Sequence, residues 1–299
     1  MGLSIAFLLA ALYLFIPGKI IVKETVSVGA TLPGVSRTLT NYDNWKKWWP
    51  GEIAFVYNGD QFKPRENAFN AINVDIYSNG DTIHSRMELL MTKLDSMVII
   101  WTATKLTSTN PFRRLSDYRD GRHTRVNISK LLEQVRSFVE KTENIYGLPI
   151  HKTKVVDSVL ISTRRLFDHK PGIKEIDAMI QSLKRYISKN NSIEKNFPML
   201  NVRKIDSGHY EAMTAIPVDR ELPTTKEFET KFMLKGGNIL EVQVRGGPDT
   251  IEKSFAELEN YRVDYKYGSP AIPYQLLVTD RLNEPDTSTW ITKIYFPVY

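Results

Sequence analysis

Two stretches in the second half of the chain decide its fold: YEAMTAIPV at residues 210–218 and WITKIYFPV at residues 290–298. Each ends in Pro-Val, and proline suits the end of a strand because it cannot donate a hydrogen bond to the ladder. Aligning the two prolines places Tyr210 opposite Trp290. Because a repeated stretch of sequence indicates a repeated structural unit, the pair predicts an internal duplication.

Each of these strands closes a longer unit with the same order of elements, a strand, an amphipathic helix and a further β-rich run. The first copy covers residues 149–220 and the second covers residues 230–299. The apolar periodicity predicts strands at 154–163, 238–245 and 274–280 and helices at 173–190 and 250–261. Two similar units that share one sheet would enclose a groove at their pseudo-twofold junction.

Four features of residues 149–299 carry a family resemblance. They are Gly236-Gly237 before a strand, Gly246-Gly247 before a helix, Tyr274 in a strand, and the terminal TKIYFPV strand. With these features the region resembles the GyrI-like effector-binding domain, the small-molecule module of AraC-type and MerR-type transcription activators. The resemblance implies a duplicated α+β domain with a ligand groove between its halves.

The resemblance also implies candidate ligand-binding residues, with one departure from the family pattern. The family usually has a glutamate four residues before the final proline, facing the cavity and attracting cationic lipophilic molecules. Lys293 stands at that position, opposite Met213 of the first repeat, and its charge favours an anionic or neutral ligand. Glu241 is a possible partner of Lys293 across the groove, although either side chain could instead face solvent.

Aromatic residues at matched positions are the candidates for the walls of this groove. They are Tyr210, Trp290, Tyr274 and Tyr295. Pockets for small molecules use broad apolar walls of this kind. Each of the four could individually be a core residue, but we expect some of the set to line the groove.

Residues 20–148 read as a separate domain. The pattern predicts a strand at 20–28, helical turns over 32–49, strands at 54–57, 69–77, 82–90 and 97–106, and a long amphipathic helix over 122–146. Asn58-Gly59 and Asn79-Gly80 predict tight hairpin turns, because asparagine and glycine tolerate positive φ. A sheet followed by one long helix is a helix-grip arrangement, with a cavity between the two.

In this order of elements, residues 20–148 resemble the START-like (SRPBCC, polyketide cyclase and lipid-transfer) superfamily. The segment Trp45-Lys-Lys-Trp48-Trp49-Pro50 is similar to the W..W.P pattern that follows the first helices of that superfamily. The resemblance implies a hydrophobic pocket but no reaction. We expect the three tryptophans to pack the helices on the sheet, and Trp101, on a late strand, to line the pocket.

The N-terminus is a candidate membrane anchor. Residues 3–16 read LSIAFLLAALYLFI, and extension to Val22 gives a stretch long enough to span a bilayer. A cleaved signal peptide would need a basic start and a clear cleavage site, and a buried helix would carry one polar face. We therefore predict a single-pass anchor at residues 1–19, with the membrane as a partner and the folded domains outside the cytoplasm.

Composition and motifs exclude several classes of function. The chain has 299 residues with no cysteine, which excludes disulfides, thiol catalysis and cysteine-ligated zinc. Its 40 Lys and Arg residues against 34 Asp and Glu form only short basic clusters, and no helix-turn-helix precedes the effector-like region, so we predict no nucleic-acid partner. The five histidines lie in separate elements without metal spacing, and no nucleophile elbow or phosphate loop occurs. We predict no metal and no cofactor.

Together these patterns predict an α+β protein with an N-terminal apolar helix, a START-like helix-grip domain and a duplicated GyrI-like domain. The predicted function is non-catalytic binding of a small amphipathic or lipophilic molecule, as a sensor or carrier. The alternative is hydrolysis of small electrophilic or ester compounds in the GyrI-like cavity. That chemistry needs a general base, and since position 293 is a lysine, Glu211 would have to point inward to supply it.

Overall fold

A computed structural model describes residues 13–51, 54–68 and 70–299. The chain divides into two compact units, Met1–Ile145 (unit 1) and Tyr146–Tyr299 (unit 2). Each unit combines α-helices with an antiparallel sheet, so the fold is mixed α+β.

The predicted membrane anchor falls largely on residues 1–12, which lie outside the described residues. Its extension to Val22 is wrong, because the chain is already a strand from Lys19 onward and pairs with a neighbouring strand there. Within the described ranges, no helix is both long enough and apolar enough to cross a bilayer.

The described part of unit 1 is built on a six-stranded sheet and one long helix. Its strands run in the order β1-β6-β5-β4-β3-β2, all pairs antiparallel. The elements are β1 (Lys19–Val28), α1 (Leu32–Thr40), a 3-10 turn (Tyr42–Asn44), α2 (Trp45–Trp48), β2 (Val56–Tyr57), β3 (Asp60–Ala68), β4 (Ala71–Ser78), β5 (Asp81–Lys93), β6 (Ser96–Leu106), α3 (Pro111–Val139) and α4 (Thr142–Tyr146).

Helix α3 starts and ends earlier than the predicted 122–146 helix. The Asn110 side chain accepts hydrogen bonds from the backbone N–H groups of Phe112 and Arg113, and Pro111 occupies the first turn. Asparagine followed by proline is a strong N-terminal capping signal, so the helix begins there. Its buried stripe contains Ile128, Leu131, Leu132, Val135 and Val139, which face the sheet.

Two other local predictions in unit 1 are confirmed. Asn58, Gly59, Asn79 and Gly80 all have positive φ, as the two tight turns require. The tryptophans of α2 pack inside the core, since Trp45 is 0% and Trp48 5% exposed.

The described part of unit 2 has one eight-stranded sheet and two helices of equal length. Its elements are β7 (His151–Lys154), β8 (Val159–Phe167), α5 (Ile173–Lys189), β9 (Met199–Lys204), β10 (Tyr210–Pro217), β11 (Glu229–Phe232), β12 (Asn238–Arg245), α6 (Pro248–Asp264), β13 (Tyr274–Leu277), a 3-10 turn (Thr287–Thr289) and β14 (Ile291–Pro297).

The strand order of this sheet is symmetric about its centre. It runs β11-β8-β10-β9-β13-β14-β12-β7, so β8, β9 and β10 of one half match β12, β13 and β14 of the other. The central pair, β9 and β13, joins the halves through Leu200 opposite Gln275 and Met199 opposite Leu276.

The predicted strand at 154–163 is wrong in one respect, because it is two strands at different places in the sheet. Strand β7 pairs with β12 at one edge, while β8 pairs with β10 and β11 near the other. The run Val155-Val156 looked like the middle of one strand, but Val156 is 75% exposed and lies in the connection.

The two helices stand over the outer strands of their own halves. Helix α5 packs mainly on β8 and β10 and buries Ile176, Met179, Ile180, Leu183 and Ile187. Helix α6 packs mainly on β12 and β14. The central strands β9 and β13 therefore lie between the helices on that face of the sheet.

Candidate functional site

A cavity of about 850 Å³ lies on the helix face of the unit 2 sheet, over its central strands. Its floor contains Leu200 and Val202 from β9 and Leu277 from β13. Leu200 and Val202 share a face because side chains in a strand alternate with a period of two. The cavity follows from the placement of α5 and α6 over the outer strands, which leaves the centre uncovered.

The walls of this cavity come from the facing sides of the two helices. Helix α5 contributes Ile173, Ile176 and Ile180, and α6 contributes Ile251 and Phe255. The spacing of three to four residues places each set on one side of its helix. The helix side chains that face the cavity are therefore mainly aliphatic, with one aromatic ring, that of Phe255.

Tyr210 and Trp290 both line this cavity. They occupy the matched positions that the sequence alignment paired, at the first residue of β10 and just before β14. Trp290 is 2% exposed, and its indole Nε1–H donates a hydrogen bond to the Glu284 carbonyl at 3.0 Å. The structure thus brings these two predicted site residues together.

Arg281 is a cation of the cavity lining that contacts Trp290. Its guanidinium lies over the Trp290 ring at 4.9 Å from the centroid. Its Nη2 donates hydrogen bonds to Gln275 Oε1 and Thr292 Oγ1, both at 2.9 Å. Burial lowers the pKa of Arg281 to about 10, which leaves the group cationic at neutral pH.

Four other charged residues of the cavity lining have polar partners. Lys170 pairs with Glu252 at 3.6 Å between two exposed side chains. Asp177 accepts a hydrogen bond from Gln181 at 3.2 Å. Asp280 accepts hydrogen bonds from the Asn283 side chain and the Leu282 backbone N–H. These groups form a polar boundary around the apolar walls.

The remaining predicted residues of the groove lie on the opposite face of the sheet. Tyr274 is directly opposite Tyr295, and Tyr295 is directly opposite Glu241, so all three share one face. Lys293 is two residues from Tyr295 on the same strand and therefore points the same way. Gln275, which follows Tyr274 in β13, and Leu277, two residues further on, line the large cavity instead.

On this second face the four residues form a compact polar and aromatic group. The rings of Tyr274 and Tyr295 stack with centroids 5.2 Å apart, and Lys293 Nζ lies 2.8 Å from Glu241 Oε1. Burial raises the pKa of both tyrosines, and the carboxylate of Glu241 adds to the rise at Tyr295. A cavity of only about 130 Å³ adjoins Glu241 and the tyrosine pair.

Trp101, predicted to line a pocket of the first domain, is packed in the unit 1 core. Its side chain is 0% exposed, and its ring contacts Phe62 edge-on at 5.8 Å. The indole Nε1–H donates a hydrogen bond to Ser85 Oγ at 3.0 Å. The residue is close-packed and hydrogen-bonded in this structure, and it lines neither of the unit 2 cavities.

Glu211, the base that the hydrolytic alternative requires, points away from the large cavity. It follows Tyr210 in β10, so its side chain emerges on the other face of the sheet. Its carboxylate pairs with Arg203 at 3.0 Å and Arg164 at 3.3 Å. Two guanidinium groups therefore place it in an ion-pair cluster on that face.

One acidic cluster in unit 1 has the composition of a metal site. Oxygens of Asp81, Asp117 and Asp120 lie within 4.8 Å of one another. The Lys105 ammonium lies among them, at 2.9 Å from Asp120, 3.0 Å from Asp81 and 3.2 Å from Asp117. The ammonium thus occupies the position between the three carboxylates that a cation would take, and we propose no metal there.

Sequence reasoning missed Arg281, which the structure places in the cavity lining. It lies in the loop after β13, and it is one of 40 basic residues without a motif around it. The only indication of its role in the sequence was the presence of Trp290 nine residues later, because arginine side chains stack on tryptophan rings. That contact joins residues nine positions apart in loops, which no periodicity predicts.

The chain matches no protein-family model and no curated protein. It is similar in structure to the EcmrR C-terminal domain, with 14% identity over 51% of this chain and 98% of that one, at a TM-score of 0.43. It is also similar to a hydrolase from Listeria innocua, with 11% identity over 50% of this chain and 91% of that one, at a TM-score of 0.39.

A START superfamily protein from Mycobacterium smegmatis is similar over 39% of this chain and 97% of its own. The identity is 16% and the TM-score is 0.27. Similarity at these values carries no information about ligand or activity.

Proposed function

We propose that this protein binds a small lipophilic or amphipathic molecule between α5 and α6, without converting it chemically. The observation that carries the proposal is the cavity of about 850 Å³ with aliphatic walls. Pockets for small molecules typically have volumes of roughly 300–1,000 Å³, with apolar walls and a few polar groups. The cavity has both properties.

The site residues divide into two groups in this proposal. Tyr210 and Trp290 contact the ligand, together with the leucine and valine side chains of the floor. Tyr274, Tyr295, Glu241 and Lys293 act on the opposite face, where they stabilise the sheet. A bound apolar molecule would remove water from the exposed parts of Val202 and Phe255, and this burial is the driving force.

The experiment is fluorescence titration of the full chain with N-phenyl-1-naphthylamine, a neutral probe whose emission rises in apolar surroundings. Val202→Trp projects an indole from the cavity floor into the space that the probe needs. We expect saturable binding by the wild type and at least about a tenfold loss in the variant. Any lipid or detergent background is the same for both proteins and cancels in the comparison.

Lys293→Gln is the matched control, since it changes a residue of the same sheet on the face away from the cavity. We expect it to bind the probe as the wild type does. Equal binding by the wild type and Val202→Trp, with both proteins folded, would show that the probe does not occupy the cavity and would overturn the proposal.

We also propose that residues 1–19 attach the protein to a membrane, with the two units outside the cytoplasm. The support is the apolar run at residues 3–16 in the sequence. Cell fractionation of the full chain and of a variant lacking residues 1–18 tests it. We expect the full chain in the membrane fraction and the variant outside it. The same distribution for both would remove the anchor from the proposal.

A further inference from the structure

The guanidinium of Arg281 is a largely buried cation whose charge is not matched by an ion pair among the described residues. Within the described residues, no carboxylate lies within ion-pair distance of Arg281, and its buried Nε–H has no acceptor. Its polar contacts are the neutral oxygens of Gln275 and Thr292. The Trp290 ring supplies only the weaker attraction of a π face.

Removing a charge from water is costly unless an opposite charge compensates it. The two neutral hydrogen bonds and the Trp290 ring compensate only part of the desolvation cost of the Arg281 guanidinium. Because Arg281 lines the large cavity, the missing partner can come from a molecule bound there. An anionic group next to the guanidinium would form a charge-assisted hydrogen bond, which is stronger than a neutral one.

We propose that Arg281 and Trp290 form the headgroup site of this cavity and that the ligand is a lipophilic carboxylate. This inference rests on the proposed function and specifies its ligand class. The carboxylate would lie beside the guanidinium, and its apolar body would extend along Leu277, Leu200 and Ile180. The guanidinium acts as a binding group and takes no part in a reaction.

The other charges facing this cavity agree with an anionic ligand. Four cations line it against three carboxylates: Lys170, Lys184, Lys204 and Arg281 against Asp177, Glu252 and Asp280. Lys184 also pairs with Glu194 outside the lining, at 3.9 Å. Among its carboxylates, Glu252 pairs with Lys170, while Asp177 and Asp280 accept hydrogen bonds from neighbours on their own segments. Lys293, from which the sequence suggested the same preference, cannot provide it, because it pairs with Glu241 on the other face of the sheet.

The test uses three displacers with the same ten-carbon chain: decanoate, decanol and decylamine. Each competes with N-phenyl-1-naphthylamine on the full chain at about pH 8, where the carboxylate is ionised and the amine is protonated. We expect decanoate to bind about tenfold more tightly than decanol, and decylamine to bind most weakly. This order in the wild type already tests the inference without any variant.

Two variants assign the preference to Arg281. In Arg281→Gln we expect decanoate to lose its advantage, while the affinity for decanol changes by no more than about twofold. Arg281→Lys keeps the charge and should retain part of the advantage. If Arg281→Gln does not fold, the wild type is titrated at about pH 4, where protonated decanoate should bind no better than decanol.

The outcomes separate this inference from the proposed function. Probe binding with equal displacement by decanoate and decanol would leave the cavity as a ligand site and overturn the carboxylate assignment. A preference for decanoate that Arg281→Gln leaves intact would also overturn it. Failure of the probe to bind the wild type would instead refute the proposed function, and this inference with it.

Discussion

Unit 1 and unit 2 both place helices on one face of an antiparallel sheet, yet they fill the space between helix and sheet differently. In unit 1 a single helix of 29 residues, α3, lies on the sheet, and large side chains such as Trp101 and Phe62 point into the gap. In unit 2 two helices of 17 residues each cover the outer strands and leave the centre open.

The comparison shows that a cavity depends on where the helices stand and on which side chains face them. The helix-facing side chains of the central strands in unit 2 include Leu200, Val202 and Leu277, which are too short to fill the gap. In unit 1 the corresponding volume is occupied by indole and phenyl rings with 0% exposure. Mutations between helix and sheet should therefore reduce stability in unit 1, whereas in unit 2 they should mainly change ligand binding.

The largest expected effect is the loss of a core ring in unit 1. Trp101→Ala should lower the free energy of unfolding by about 3–5 kcal/mol, because it removes a buried indole and leaves a cavity. Chemical denaturation measures the loss, and hydrogen exchange of the β6 amides assigns it to unit 1. Phe255→Ala in unit 2 should cost far less and mainly weaken probe binding. Equal costs for the two variants would contradict the contrast between the units.

The next effect concerns the charges of unit 1. Lys105→Met leaves Asp117, 5% exposed, and Asp120, 12% exposed, without their ammonium partner. We expect a loss of about 3 kcal/mol, because breaking a buried ion pair leaves uncompensated charge. Arg113→Met is the control, since Arg113 reaches only Asp81 from a side chain that is 66% exposed, and should cost less than about 1 kcal/mol. Similar losses for both variants would mean that burial of the cluster is unimportant.

Enlarging a side chain should destabilise unit 1 more than unit 2. Ala103→Leu in the filled core of unit 1, where Ala103 is 1% exposed, should destabilise it by about 1–3 kcal/mol through overpacking. Val202→Trp adds more volume but projects into open space, so it should cost less than about 1 kcal/mol. Thermal unfolding of both variants measures this difference. A larger cost for Val202→Trp would indicate that the cavity is not open in solution.

A smaller effect is expected in the acid range. The hydrogen bond from Lys105 is the largest cause that lowers the pKa of Asp81 from its usual 3.8, and partial burial opposes it. The contribution of Asp81 to stability is therefore complete above pH 3.8 and is lost as the pH falls through the lower value in the folded state. In Asp81→Asn, the stability of unit 1 should fall less steeply on acidification than in the wild type. Hydrogen exchange measured as a function of pH tests this. An unchanged acid slope would mean that Asp81 does not contribute.

The smallest effect is predicted for the face of unit 2 away from the cavity. Lys293→Gln breaks an ion pair whose side chains are 32% and 24% exposed, so the free energy of unfolding should change by less than about 1 kcal/mol. Binding of N-phenyl-1-naphthylamine should stay within about twofold of the wild type. A strong loss of binding would show that Lys293 contributes to the ligand site and would contradict the assignment of ligand binding to the helix-covered face alone.

Much of the local structure could be predicted from the sequence. The apolar alternation located β1, β6 and β12 to within one residue, because side chains of a half-buried strand must alternate. The Asn-Gly pairs located two hairpin turns, since few other residues tolerate their backbone angles. Strand β3 (Asp60–Ala68), rich in polar residues, was not predicted, because pairing with β4 rather than its own pattern holds it in the sheet.

The sequence by itself determined that two matched strands end in Pro-Val and that Tyr210 corresponds to Trp290. Only the tertiary structure decided which face of those strands the helices cover. Alternation assigns Tyr274 and Gln275 to opposite faces of β13 but does not say which of the two faces the cavity. It also could not select Arg281, because the contact of a loop arginine with Trp290 depends on how two loops meet in space. Periodicity is a property of neighbours along the chain, whereas a cavity is formed by residues that are distant in sequence.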